Sequence, residues 1–147
     1  MKRNEALVPL SHDHHAGLFV AQRLKRAEDA DSATAARERF LSFWRTDGRR
    51  HFRIEEEVLL PSFALHVEPS HEAVVRVLVD HVELRRRAAD LEREEDTSLE
   101  ELHQLGKRLE EHIRHEERVL FPLIEQALPA GELAELAAAL KRDEGAD

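Results

Sequence analysis

Apolar residues recur at three- and four-residue spacing in four long segments, each a narrow stripe with Arg and Glu filling the rest. The first runs from about Asn4 to Glu28 on Leu7, Leu10, Gly17, Ala21 and Leu24. The second starts near Ser32, an N-cap after a polar stretch, and passes Phe40, Trp44, Val58 and Leu59 before Pro61 complicates its end. The third starts near Ser70 and carries Val74, Val77, Leu84, Ala88 and Leu91. The fourth starts at Thr97 or Ser98, with Glu101 completing a capping-box pattern after Ser98. Its stripe is Leu102, Leu105, Leu109, Val119 and Leu123, and Pro129 closes it. A short alanine-rich fifth helix is expected over about 132–141, with residues 143–147 fraying. The pattern predicts an all-α, antiparallel up-down-up-down four-helix bundle over about 5–128, in a single domain spanning 1–147.

Composition narrows the chemistry. The chain has 147 residues, with 22 basic against 31 acidic side chains and a formal charge of −9. That balance argues against nucleic-acid binding. No apolar run approaches the roughly 18 to 20 residues of a membrane span, and Met1-Lys2-Arg3-Asn4-Glu5 leads into no signal-like apolar stretch. No membrane association and a cytoplasmic location are therefore expected. There is no cysteine, so any metal site uses nitrogen and oxygen donors, and the ten histidines become the feature to explain.

Self-similarity explains part of that count. His51-Phe52-Arg53-Ile54-Glu55-Glu56-Glu57-Val58-Leu59-Leu60-Pro61 recurs 61 residues later as His112-Ile113-Arg114-His115-Glu116-Glu117-Arg118-Val119-Leu120-Phe121-Pro122, with seven identical positions. At an offset of 67, Asp13-His14 falls on Asp80-His81. The chain thus reads as two helical hairpins, each with one lone histidine and one His-x-x-x-Glu pair. Residues four apart share a helix face, so His51 with Glu55 and His112 with Glu116 are two-ligand claws. All of these positions continue the apolar stripes. Two glutamates sent into a core among four histidines need a compensating charge, which a metal centre supplies.

Depth along the bundle can be checked by counting. His81 lies 14 residues before Glu95 and His112 lies 14 after Ser98, which sets both at one level. His14 to Glu28 is also 14, but Ser32 to His51 is 19, so the first hairpin requires a longer connection or a bulge near Asp47-Gly48. Imidazole and carboxylate donors from four helices suit iron or manganese, with zinc compatible, and the duplicated motif favours two metals over one.

These residues resemble a hemerythrin-like, or HHE cation-binding, domain across about residues 5 to 128. Asp13-His14-His15, His51 to Pro61, Asp80-His81 and His112 to Pro122 carry the likeness. The resemblance implies that His14, His51, Glu55, His81, His112 and Glu116 bind two iron ions in a non-haem, oxo- or hydroxo-bridged di-iron centre. It implies both glutamates bridging and an open position for dioxygen or another small diatomic ligand. Oxygen-carrying hemerythrins place a fifth histidine where this chain has Arg85, and their last carboxylate falls at Glu117 rather than Glu116. The internal repeat favours Glu116, and His15 and Glu117 are the candidates for an additional ligand. The departure at Arg85 points to sensing, redox or iron-handling roles rather than simple oxygen carriage.

The other histidines are assigned no ligand role: His12 is expected in solvent, His66 and His71 in a turn, His103 facing away, and His115 beside the stripe. Two alternatives to a binding or sensing module stand. One is a di-iron enzyme consuming peroxide or nitric oxide, for which no tyrosine exists to form a radical. The other is a structural bundle holding zinc. The protein partner is unspecified by the sequence.

Overall fold

In the computed structural model, which describes residues 2–94 and 97–144, all regular secondary structure is helical and the described residues carry no strands. Helix α1 is Val8–Arg26. Helix α2 spans residues 30–63 without interruption, α3 is Glu72–Arg93, α4 spans 99–127 and α5 is Ala130–Glu144. Helix α5 is longer than the alanine pattern predicts and runs through Asp143 and Glu144, where fraying is expected; the rest of that expectation, 145–147, and the turn position Glu95 lie outside the described residues.

Capping chemistry sets the starts. Asp29, not Ser32, is the N-cap of α2: its carboxylate accepts from Ser32 N–H, while Ser32 Oγ accepts from Asp29 N–H in a reciprocal box. Helix α3 starts after His71, whose Nδ1 accepts from Ala73 N–H. Ser98 caps α4 as expected, accepting from Glu101 N–H.

Neither Pro61 nor Pro122 ends its helix. Each follows a π turn, Glu55–Leu59 and Glu116–Leu120, closed by Leu60 N–H to Glu55 O and by Phe121 N–H to Glu116 O. Proline lacks the donor and crowds the carbonyl four residues earlier, and a wider turn just before it accommodates both. The extra residue advances the buried register by one. Leu59, Leu60 and Phe63 are buried from the last residue of the first π turn onward, and Leu120, Phe121 and Ile124 from the last residue of the second. Val119, predicted on the stripe, is instead 42% exposed. A third π turn, Trp44–Gly48, sits at the place where the depth count allows a bulge as the alternative to a longer connection. Gly48 is needed there because an added Cβ would lie 2.9 Å from the Trp44 ring and 3.1 Å from that of Phe43.

Two apolar clusters result. Leu7, Leu10, Val77, Leu120 and Phe121 form one with Leu133, Leu136 and Leu140 of α5. Leu24, Phe40, Trp44, Leu84, Leu105 and Ile113 form the other. Between them along every one of α1 to α4 lies a layer of buried polar side chains. Helices α1 and α4 pack most closely, with Gly106 against Ala21 and Leu24.

Candidate metal centre

The polar layer consists of His14, His51, Glu55, His81, His112 and Glu116, all buried, with both glutamates at 0% exposure. The structure brings all six together. Ligand-capable atoms of His14, His51, Glu55 and Glu116 lie within 4.8 Å of one another, and so do those of Glu55, His81, His112 and Glu116. The two groups share both carboxylates.

Each imidazole presents one nitrogen inward and the other to an outer carboxylate. Outward, His14 Nδ1 bonds Glu117 at 2.6 Å, His51 Nδ1 bonds Asp13 at 2.9 Å, His81 Nδ1 bonds Glu56 at 2.7 Å and His112 Nδ1 bonds Asp80 at 3.1 Å. Inward, His14 Nε2 meets Glu116 Oε1 at 2.8 Å and His81 Nε2 meets Glu55 Oε1 at 3.1 Å. Within each hairpin the aspartate one residue before the lone histidine holds the partner helix's histidine. Across hairpins the glutamate following each core glutamate holds the lone one. The twofold pattern of the repeat is therefore also the pattern of hydrogen bonds. The Asp-His and Glu-Glu doublets in both copies carried that signal, but the outer roles of Asp13, Glu56 and Asp80 escaped the sequence reading.

The centre's remaining atoms are unpartnered. His51 Nε2 lies 3.1 Å from Glu55 Oε2, and His112 Nε2 lies 3.5 Å from Glu116 Oε2. Neither contact is an aligned hydrogen bond, and all four of these buried atoms lack a partner among the described residues. Such groups are costly to bury, and here they converge. Converging imidazole nitrogens and carboxylate oxygens, each imidazole backed by a carboxylate, fit a metal site with its orienting outer shell.

Protons do part of the metal's electrostatic work in the metal-free protein. Burial opposes charge on His14, but hydrogen bonds to Glu116 and Glu117 outweigh it and raise its pKa to about 9. His51 is likewise raised well above its ordinary value, with burial overcome by Glu55 and Asp13. Glu116 is held well below the usual carboxylate range, with burial overcome by His112, His14 and His51.

The hemerythrin HHE cation-binding domain, as a family model, matches residues 6–124. The chain belongs to this family. Neither the curated proteins nor the solved structures gave a match. It is a metal-binding helical bundle of the hemerythrin type, and its departures from oxygen-carrying hemerythrins have visible structural counterparts.

Glu117 lies outside the centre, 31% exposed, accepting from His14 Nδ1, Ser11 Oγ and Arg3. His15 is exposed and packs beside His12, 5.8 Å between ring centres. Arg85 also stays out: its Nη2 donates to both oxygens of Glu56 at 3.1 and 3.0 Å, behind His81. The face of His81 is covered by Phe52, stacked at 3.8 Å and 5°. His103 Nε2–H donates to the Ala27 carbonyl oxygen at the end of α1 at 2.6 Å, remote from the centre. Among the described residues no helix is long and apolar enough to cross a membrane.

Proposed function

We propose that the chain is a non-haem di-iron protein that binds or senses dioxygen or a related diatomic ligand, or responds to iron and redox state. It would be a single domain over 1–147, built as an up-down-up-down bundle. The reading is carried by one observation, the sharing of Glu55 and Glu116 between two four-residue groups. Two metals would each take two imidazoles, His14 with His51 and His81 with His112, while both carboxylates serve both. Hard oxygen donors with imidazole and no thiolate suit iron or manganese. When bound, iron supplies positive charge between the carboxylates and a redox-active position for a small ligand.

The chain's own residues do the rest. Asp13, Glu56, Asp80 and Glu117 orient the rings and hold the Nδ1 protons, which directs Nε2 inward. A cavity of about 20 Å3 beside His14, His51 and His112 is walled by Phe43, Phe52, Leu109 and Ile113. That volume is about one water-sized probe, and apolar walls exclude charged ligands, so the cavity suits a diatomic molecule. The bundle topology is supported by contact order: along α1, His14, Gly17 and Ala27 meet Glu116, Ile113 and His103 of α4 in reverse sequence.

Metal analysis of protein purified without added metal, with an anaerobic spectrum before and after air, is the test. Two irons per chain and a ligand-to-metal band that appears on oxidation are expected. His51→Ala and His112→Ala should each lose that band; full metal retention in both would defeat the ligand assignment. Two zinc ions and a spectrum indifferent to air would replace iron with the structural reading.

A further inference from the structure

Arg45, Arg49, Arg50 and Arg53 of α2 line an open cleft of about 720 Å3 with Arg85 of α3, alongside Glu56 and Glu57. Five arginines against two glutamates give the lining 5 − 2 = +3, in a chain whose formal charge is −9. A solvated helix face ordinarily balances the two signs, whereas this lining carries an excess of arginine. Three of these arginines are engaged only loosely by carboxylates. Arg45 lies 3.5 Å from Glu92, Arg50 3.5 Å from Asp47 and Arg53 3.9 Å from Glu57, all on exposed or half-exposed side chains. Pairs of that kind are screened and contribute little, so the guanidinium donors stay available.

Arg85 differs from the other four. Its guanidinium sits over the Phe52 and Trp44 rings, 5.7 and 6.0 Å from their centres, and donates to Glu56 at the cleft wall. Glu56 Oε2 in turn accepts from His81 Nδ1 at 2.7 Å. One residue therefore faces the cleft on one side and the outer shell of the metal centre on the other.

We propose that this cleft binds a small anion carrying more than one phosphate group, and that occupancy is transmitted through Arg85 and Glu56 to the hydrogen bond on His81. Planar guanidinium forks match phosphate oxygens, and several of them favour a multiply charged ligand. The volume falls in the range of small-molecule sites, roughly 300 to 1,000 Å3. An anion that engages Arg85 draws donors away from Glu56, whose carboxylate then accepts more strongly from His81. The binding step is independent of the metal assignment, whereas the consequence at His81 rests on it.

The test is calorimetric titration of the metal-free and as-isolated protein with inorganic tripolyphosphate, alongside citrate at equal ionic strength. Saturable binding of one tripolyphosphate per chain is expected. Affinity should fall about tenfold or more in Arg49→Ala and in Arg53→Ala, from the loss of a charged hydrogen bond, and hold in the remote Arg142→Ala. Circular dichroism confirms that each variant is folded. Absence of saturable binding, or equal binding by all variants, overturns the site, and tighter binding of citrate overturns the phosphate assignment. Nitrogen resonances of the labelled His81 ring should move on saturation in the parent protein and stay still in Arg49→Ala. Binding without that movement overturns the transmission. Failure of binding with two irons per chain intact would leave the metal reading standing.

Discussion

At the scale of single residues, the centre depends on side chains that touch no metal. Asp13 and Asp80 each hold a histidine of another helix by its outer nitrogen, so removing either leaves the ring free to rotate and to exchange tautomers. Asp80→Ala is expected to weaken metal binding by about 10- to 100-fold with little loss of helix, read by competition with a chelator. The pH behaviour follows from His14 and Glu117. His14 is raised from 6.5 to about 9, so its stabilisation of the metal-free fold is complete below pH 6.5 and disappears as pH rises through 9. Glu117 is lowered from 4.5 to about 2 because, against the effect of burial, it accepts from His14 and Ser11. Its stabilisation is complete above pH 4.5 and disappears as pH falls through 2. The metal-free protein should therefore be most stable between pH 4.5 and 6.5, with a urea midpoint that declines toward 9. A midpoint rising over that alkaline interval would contradict the assignment. Metal affinity runs the other way, because a ligating imidazole must give up its inward proton.

At the scale of elements, the π turns decide which residues face inward. The Trp44–Gly48 turn lies between Phe40 and His51 and takes up one of the five residues by which the first hairpin's count of 19 exceeds 14. Deleting Thr46 from it removes the extra residue and leaves everything beyond at nearly its present angle relative to Phe40, whereas inserting one alanine after Leu41 turns it by about 100°. The insertion variant should keep its helical circular dichroism and lose metal binding, and the deletion variant should keep both; loss of metal from the deletion variant would refute the role given to the bulge. Close packing of α1 on α4 makes a second prediction. A Cβ at Gly106 would meet the Ala21 carbonyl oxygen at 2.7 Å and Leu24 Cβ at 2.9 Å, which are backbone or near-backbone atoms. A Cβ at Gly17 would meet the Ile113 Cδ1 terminus at 2.7 Å, which can swing aside. Gly106→Ala should thus cost about 1 to 3 kcal/mol in denaturant unfolding, and Gly17→Ala measurably less.

At the scale of the whole molecule, the polar layer divides the core into two apolar clusters, with α5 closing the end of one. Each cluster alone is ordinary helical packing. The layer between them contains two carboxylates at 0% exposure and is the part of the interior that hydrophobic burial cannot stabilise. Metal should therefore act on global stability. At a free metal concentration about 1,000 times Kd, linkage gives about 4 kcal/mol, or roughly 10 °C in Tm for a chain of this size. Dialysis against a chelator should lower Tm by about that amount, and readdition of iron should restore it. An unchanged Tm would mean that the layer is self-sufficient.

Helix number, approximate limits, and the six clustered side chains were legible in the sequence, because helical periodicity is local and because the repeat marked His51, Glu55, His112 and Glu116 twice. That Glu116 rather than Glu117 joins the buried cluster was legible for the same reason. What the tertiary structure decided is of two kinds. Proline normally ends a helix, so only the folded chain shows π turns that carry α2 and α4 past Pro61 and Pro122 and move the buried face from Val119 to Leu120. Hydrogen bonds between helices have no local signature, so the pairing of Asp13 with His51, Asp80 with His112, Glu56 with His81 and Glu117 with His14 was decided by packing. Periodicity records which way a side chain points along its own helix, whereas its partner is set by the helix that comes to lie opposite.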